Sequence, residues 1–336
     1  MIPSPPVVFT EDAFRRRVSY LRVSLTDHCN LRCRYCMPNG AMQFLPNREL
    51  LTLDELKILL RVFRSLGVHK VRLTGGEPLL RPDLEQIFAS AVELKIPDVS
   101  ITTNAVLLAS RIKSLKAAGL KRVNISLDTF DREKFYAIAK VDALSSVLQG
   151  IDAAIESGLQ PLKINMVVMR EWNFNEVQNF ALFAQRNPVE IRFLELMPTA
   201  NSFEGKAGVD EKSFVSMQEI RNEVEKVVTL LPEEAALGVA RVFPISGGLG
   251  KVGFINPVSN HFCGSCNRIR LTSGGGLKTC LHGPESVNLK NALRNGASDD
   301  ELGAMIRQAI FAKPEEHFIR PDHYVSRWLQ MSQVGG

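Results

Sequence analysis

Thr26-Asp27-His28-Cys29-Asn30-Leu31-Arg32-Cys33-Arg34-Tyr35-Cys36-Met37-Pro38 follows directly on a short apolar run, Tyr20 to Leu25. Its cysteines are spaced C-x3-C-x2-C. Three thiolates so close in sequence cannot be independent, because a loop that tight turns all three sulfurs toward one point. Soft thiolates grouped this way suit zinc or an iron–sulfur cluster. Both usually take four ligands. Either a fourth ligand comes from a distant residue, as in a structural zinc knuckle, or one metal position stays open to chemistry.

The remaining cysteines, Cys263, Cys266 and Cys280, form a second trio, C-x2-C-x13-C, and make six in a chain of 336 residues. A disulfide scaffold does not fit a long, cysteine-poor chain without a secretion signal. A zinc ion completed by His261 or His282 fits the second trio, and so does a second cluster with an open iron. With 45% hydrophobic and 23% charged residues the chain can bury a core and is not disordered. A net charge of +5 permits an anionic substrate without demanding nucleic acid. The dense basic run Arg15-Arg16-Arg17 reads as a solvated arm. No apolar run approaches the ~20 residues of a membrane span, and Met1 to Arg17 lacks the apolar core of a signal peptide. The expectation is a cytoplasmic protein with no membrane and no nucleic-acid partner.

From Tyr20 to Met197, short β-branched runs alternate with helical periods about six times. The expected strands are Leu21–Leu25, Lys70–Leu73, Val99–Thr102, Val123–Leu127, Leu162–Val168 and Ile191–Leu194. Thr52 with Glu55 makes a capping box, Leu53, Leu56, Leu60, Phe63 and Leu66 carry the period, and Gly67 stops the helix. Gly119 and Gly158 are further stops. Such alternation predicts parallel strands with crossover helices. Polar and Gly-rich residues follow strand after strand at one end, which in a barrel is where active sites lie. Six units leave the barrel partial and open on one side. Beyond residue 198 the pattern loosens into a polar loop, Asn201–Asp210, a helical stretch over Val215–Val228 and the second trio. A smaller domain over 199–336 is expected after a core over 1–198.

Gly75-Gly76-Glu77-Pro78 follows the second strand, where paired glycines let backbone come close to a partner. Arg268 and Arg270 are two apart, so on an extended segment they point the same way. Lys70 and Arg72 share that spacing, and Lys163 and Arg192 stand on later strands. Cations inside apolar strands are costly unless paired or facing a polar interior. One alone reads as a salt bridge at the rim; a set facing one interior reads as a polyanion site.

The cysteine loop with its aromatic Tyr35, followed by the Gly-Gly-Glu-Pro loop, resembles the radical S-adenosylmethionine (SAM) family. With the C-terminal trio and Arg-x-Arg run, nearly the whole chain resembles that family's GTP-cyclising branch, which opens molybdenum cofactor biosynthesis. The resemblance implies a partial (βα)6 TIM-type barrel with a smaller C-terminal α+β domain carrying a second Fe–S cluster. It implies two [4Fe-4S] clusters, one on Cys29, Cys33 and Cys36 and one on Cys263, Cys266 and Cys280. Tyr35, Gly76, Glu77, Ser126 and Met197 would meet SAM. Arg22, Lys70, Arg72, Thr103, Lys163, Arg192, Arg268, Ile269 and Arg270 would meet GTP. The same resemblance implies a homodimer, an electron donor, cyclic pyranopterin monophosphate synthase as functional partner, and a working Gly335-Gly336 tail. One departure is visible: Ala105 stands where the family usually has glycine. Two rivals are a radical SAM enzyme with an auxiliary cluster acting on a peptide, and a zinc-binding nucleic-acid module.

Overall fold

The computed structural model describes residues 10–37, 44–197, 211–235, 238–317, 319 and 331–335. The N-terminal arm forms a two-stranded ribbon, β1 (Thr10–Glu11) against β2 (Arg17–Val18). Six parallel strands follow: β3 (Tyr20–Ser24), β4 (Lys70–Thr74), β5 (Asp98–Thr103), β6 (Val123–Ser126), β7 (Leu162–Val168) and β8 (Glu190–Glu195). They neighbour one another in chain order, as repeated strand–helix units dictate.

Helices α1 (Leu53–Ser65), α2 (Leu84–Glu93), α3 (Leu108–Ala117), α4 (Arg132–Ala139), α5 (Leu144–Glu156) and α6 (Val177–Arg186) make the crossovers. Both halves of the expected capping box start α1, and Leu56, Leu59, Leu60, Val62 and Phe63 form its buried face. Gly67, Gly119 and Gly158 each have positive φ, as helix stops require.

The later residues add α7 (Met217–Glu225), β9 (Arg241–Pro244), β10 (Lys251–Ile255), β11 (Arg268–Leu271), β12 (Gly276–Lys278), β13 (Val287–Asn288), α8 (Leu289–Arg294), α9 (Asp299–Phe311) and α10 (Met331–Val334). Their strands extend the same sheet at both edges: β10 pairs parallel with β8, and β11 pairs parallel with β3. Among the described residues the sheet has eleven strands, β13-β12-β11-β3-β4-β5-β6-β7-β8-β10-β9. The expected loop Asn201–Asp210 lies outside the described residues.

Strand parity sets the character of the interior. Leu21, Val23, Val71, Leu73, Ile101, Ile125, Ile164, Ile191 and Phe193 are buried in the main core. Their alternates along the same strands are Tyr20, Arg22, Arg72, Ser100, Thr102, Asn124, Asn165 and Arg192. Parallel strands covered on both faces are usually apolar throughout. Here one face is polar, so the barrel's inside is a ligand face and not a packed core.

The loop after β5 shows how closely this wall is fitted. Ala105 has φ +64 and is buried, so the departure from glycine does place an L-residue in the left-handed region. Gly150 of α5 makes room for it: a Cβ there would lie 2.5 Å from Ala105 O and 3.1 Å from Ala105 Cβ. Gly150→Ala therefore destabilises the protein by about 1–3 kcal/mol, although alanine is the better helix former. Denaturant unfolding of the variant checks this.

Candidate active site

Cys29, Cys33 and Cys36 lie in the loop that leaves β3, all half-buried and free. The loop sits on the C-terminal end of α4: the Arg32 and Arg34 amides donate to Ala139 O and Ile138 O at 2.9 and 3.0 Å. Within it the Cys36 and Met37 amides donate to Cys33 O. The Leu31 amide lies 3.4 Å from Cys29 Sγ, and Asn104 Nδ2 lies 3.7 Å from it. Burial pushes the Cys29 thiol up to about 11 and Cys36 up to about 12, with Glu77 adding to the first and Cys29 to the second. Cys33 is pushed well above its usual value by burial, then by Asp128, Cys36 and Cys29. Three such thiolates crowd one another's charge, and a bound cationic group reverses that balance.

The paired glycines serve close backbone approach, and the partner is the cysteine loop. A Cβ on Gly75 would lie 2.6 Å from Thr26 O, and one on Gly76 would lie 2.3 Å from His28 O. The Gly76 and Glu77 amides donate to Thr26 O and His28 O at 2.6 and 2.7 Å. The buried Glu77 carboxylate accepts from Leu79 N, Thr103 Oγ1 and Asn104 N. Burial nevertheless raises it to about 7. Glu77 thus ties the glycine loop to the loop after β5. Tyr35 donates to Asp128 Oδ2 at 2.7 Å, and Asp128 Oδ1 accepts the Val167 amide.

The second trio is built differently. Cys263 and Cys266 bracket a 3-10 turn just before β11, and Cys280 follows β12. Burial raises Cys263. It also acts to raise Cys266, but Lys313 and Arg268 outweigh it and leave that thiol below its usual value. Lys313, 4% exposed, donates to Arg268 O and Thr279 O. His261 pairs with Glu316 at 3.3 Å, and the His317 ring packs edge-on against both His261 and His282.

The sulfurs of each trio sense one another's charge. Three soft thiolates in each set are the donors that an iron–sulfur cluster takes.

The two trios lie at opposite ends of one strand pair. The first follows the C-terminal end of β3. The second precedes the N-terminal end of β11, whose Arg268 is the register partner of Tyr20. The five residues Tyr20–Ser24 span roughly 16 Å. Between those ends the interior carries two rows of partners, Arg268–Tyr20–Lys70 and Arg270–Arg22–Arg72. Lys70 pairs with Asp98 at 3.4 Å, and Glu190 pairs with both Lys163 and Arg192, at 3.5 and 2.5 Å. For these three the rim salt-bridge reading holds. Arg22 and Arg72 are pressed down to about 9, and Arg270 to about 10, first by burial and then by neighbouring cations. Arg268 packs over the Phe262 ring.

Seven buried polar atoms on this wall have no hydrogen-bond partner: Tyr20 OH, Arg22 Nε, Arg72 Nε, Ser100 Oγ, Thr102 Oγ1, Asn124 Oδ1 and Asn165 Oδ1. Buried polar groups are nearly always satisfied, so a wall of orphans is a surface shaped for a polar ligand.

Residues 23–184 match the Radical SAM superfamily model, and residues 189–319 match Molybdenum Cofactor Synthesis C. The GTP 3′,8-cyclase of Syntrophomonas wolfei is 42% identical over 97% of this chain and 99% of its own length. The chain belongs to the GTP 3′,8-cyclase family. The enzyme of that name from Moorella thermoacetica is likewise 42% identical, over 97% of this chain and all of its own. Molybdenum cofactor biosynthesis protein 1 of Bos taurus is 43% identical over 94% of this chain and 49% of its own length. Streptococcus suis SuiB bound to S-adenosylmethionine shares the fold, with a TM-score of 0.59 at 17% identity over 89% of this chain and 68% of SuiB.

Against the residue set implied for a GTP 3′,8-cyclase, the structure brings both trios, Tyr35, Gly76, Arg22, Arg72, Arg268 and Arg270 to the two ends and inner wall of one sheet. Ser126 ends β6 half-buried, and Met197 packs against the small cluster of Val258 and Ile319. Two residues sit elsewhere than expected. Ile269 lies in the core between its two arginines. Thr103 falls on the opposite strand face from Thr102 and uses its hydroxyl on Glu77. Arg270 Nη1 donates to Gly335 O at 2.6 Å, and a Cβ on Gly335 would meet Thr74 Oγ1, so the chain end is seated on the wall. Gly336 lies outside the described residues.

Arg16 corrects the solvated-arm reading. It is 8% exposed, pairs with buried Asp12 at 2.5 Å, and donates to Cys263 O, Glu315 O and Pro314 O. The guanidinium thus straps the second cysteine turn to the segment after α9. The signal available in sequence was Asp12, four residues earlier. Arg16→Ala leaves Asp12 buried and unpaired, costing about 3–5 kcal/mol. The second trio loses its support, so iron per chain falls toward half that of the parent. Lysine does not rescue, because it lacks the fork that spans three carbonyls. Iron quantitation after reconstitution and thermal unfolding check both effects.

Proposed function

We propose that this chain is a radical SAM lyase converting GTP to 3′,8-cyclo-7,8-dihydro-GTP, the first step of molybdenum cofactor biosynthesis. What carries the reading is a cationic inner wall with buried polar atoms left without hydrogen-bond partners, between two cysteine trios, in a chain similar over almost its whole length to GTP 3′,8-cyclases. The division is a radical core over 1–198 and a second-cluster and substrate region over 199–336. Cys29, Cys33 and Cys36 would hold a [4Fe–4S] cluster that with SAM would supply the radical for hydrogen abstraction at C3′ of GTP, and Cys263, Cys266 and Cys280 would hold a second cluster to anchor the purine.

The chain's own residues do the positioning. Tyr35, Gly76, Ser126 and Met197 line the SAM end, and Glu77 holds the glycine loop against the cysteine loop. Arg22, Arg72, Arg268 and Arg270 take the triphosphate through charge-assisted hydrogen bonds. Lys70, Lys163 and Arg192 add positive charge behind them. Fixing the base at one end and the phosphates on the wall brings C3′ and C8 together, an orientation gain worth about 7–11 kcal/mol at best. Enclosure between sheet and loops keeps water from the radical.

Three partners belong to this reading. An electron donor is needed because SAM cleavage is reductive. Cyclic pyranopterin monophosphate synthase consumes the product, and a second copy of the chain completes a homodimer. The proposed location is the cytoplasm, supported by six free cysteines. Among the described residues no helix is long and apolar enough to cross a membrane.

Anaerobic reconstitution should give about eight irons per chain. Turnover with GTP, SAM and reductant should give 5′-deoxyadenosine and the cyclised nucleotide. A colourless protein holding two zincs, or one that makes no 5′-deoxyadenosine, defeats the reading. Arg268→Ala with Arg270→Ala should weaken GTP binding by about 10–100-fold, measured by anaerobic calorimetry.

A further inference from the structure

Tyr20 was no part of the expected site, yet it occupies the middle of the cationic wall. It opens β3 with Arg268 of β11 as register partner on one side and Lys70 of β4 on the other. Arg22 stands two residues along the same face. Lys70 Nζ lies 5.0 Å and Arg72 Cζ 5.6 Å from the centre of its ring. The residue is 8% exposed and its hydroxyl has no hydrogen-bond partner. A buried phenol normally finds one, and the groups around this one are cations that can only donate. What would satisfy it is an acceptor that also answers four positive charges.

We propose that Tyr20 binds substrate, its hydroxyl donating to the phosphate-bearing end of the nucleotide beside Arg22, Arg72 and Arg268. This rests on the GTP reading above. The ring face meanwhile holds Lys70 and Arg72 in place by cation–π contact, so one side chain both orders two of the cations and donates with them.

The surroundings give the contact a pH signature. Burial pushes the phenol up, but Arg72, Arg22, Lys70 and Arg268 together bring it below its usual value. Lys70 is in turn paired with Asp98, which also pairs with Arg122, and Arg270 is the register partner of Arg22. Protonated Tyr20 donates to phosphate; ionised Tyr20 cannot, and repels it. Affinity for a triphosphate therefore holds below the lowered pKa and falls as pH rises through it. Bound triphosphate raises the phenol again, so binding takes up a proton, which is the same sign. Lys70, also lowered by burial, adds an alkaline loss of its own, but it is present in parent and variant alike.

The test is anaerobic calorimetry of the reconstituted enzyme with GTP and with inorganic tripolyphosphate, comparing the parent, Tyr20→Phe and Arg72→Ala. Phenylalanine keeps the ring and its packing, and matching thermal unfolding confirms the fold. Tyr20→Phe is expected to bind both ligands about ten-fold more weakly. It should raise KM for GTP with kcat within two-fold, and lose part of the parent's alkaline fall in affinity. If Tyr20→Phe binds tripolyphosphate like the parent while Arg72→Ala does not, the Tyr20 assignment is overturned and the GTP reading stands. If neither variant changes tripolyphosphate binding, the anion seat lies elsewhere and both assignments fall.

Discussion

Arg22, Arg72, Arg268 and Arg270 stand on two adjoining rows of the barrel's inner face, and the described residues place no carboxylate ion pair on any of the four. Removing a charge from water costs several kcal/mol even after relaxation. Repeating that on neighbouring strands adds mutual repulsion, which the depressed arginines register. The sheet tolerates the arrangement because its other face is a continuous apolar core under the crossover helices. What offsets the charge in the free protein is partial: the Tyr20 and Phe262 rings and the carbonyls of the seated tail. A polyanion answers all four at once. A triphosphate seated there, as proposed, would relieve a repulsion that the free protein leaves unresolved.

The cysteine loops pose the same problem with the sign reversed. Thiolates held together without water are costly, and the first trio shows it in all three members. The second trio has cations within reach, and Cys266 falls below its usual value while Cys263 is raised. Lys313 and Arg268 account for the lowered Cys266, while Arg16 holds the turn that carries the pair. The first trio relies on backbone amides and on the end of α4 to fix its loop. The two sites of one chemistry thus differ at Cys266, where neighbouring cations outweigh burial.

Much of this was legible in the chain. Alternating runs gave six strands within a residue or two, and the Thr52–Glu55 cap and Gly67 stop are where their chemistry requires. The glycine pair was legible as a close approach, though its partner proved to be backbone of the neighbouring loop. Arg16 was missed because a run of three arginines looks solvated until its carbonyl acceptors arrive from some 250 positions away. Tyr20 was missed for a related reason. An aromatic at the head of an apolar run reads as core, and only the register of β11 and β4 surrounds it with cations. Thr103 was assigned by motif, whereas strand parity turns it toward Glu77 and leaves Thr102 on the inner face. Local signals fixed the elements; contacts distant in sequence fixed the site.

That β10 and β11 join opposite edges of the six-stranded core has a consequence for selectivity. Were the second trio carried on a separate unit, its distance from the first could drift with a hinge. Instead it precedes a strand hydrogen-bonded in register to β3, and the first trio leaves the far end of that same β3. Their separation is then a strand length, roughly 16 Å, and can change only if the ladder slips. A slip of β11 by one residue would turn Arg268 and Arg270 into the core, which the buried Ile269 and Leu271 forbid. The register that places cations on the inner wall is therefore also what spaces the two sulfur sites. Under the proposed reading, a nucleotide with its base at the second trio and its phosphates on the wall is aligned toward the first trio by backbone pairing and not by flexible side chains alone.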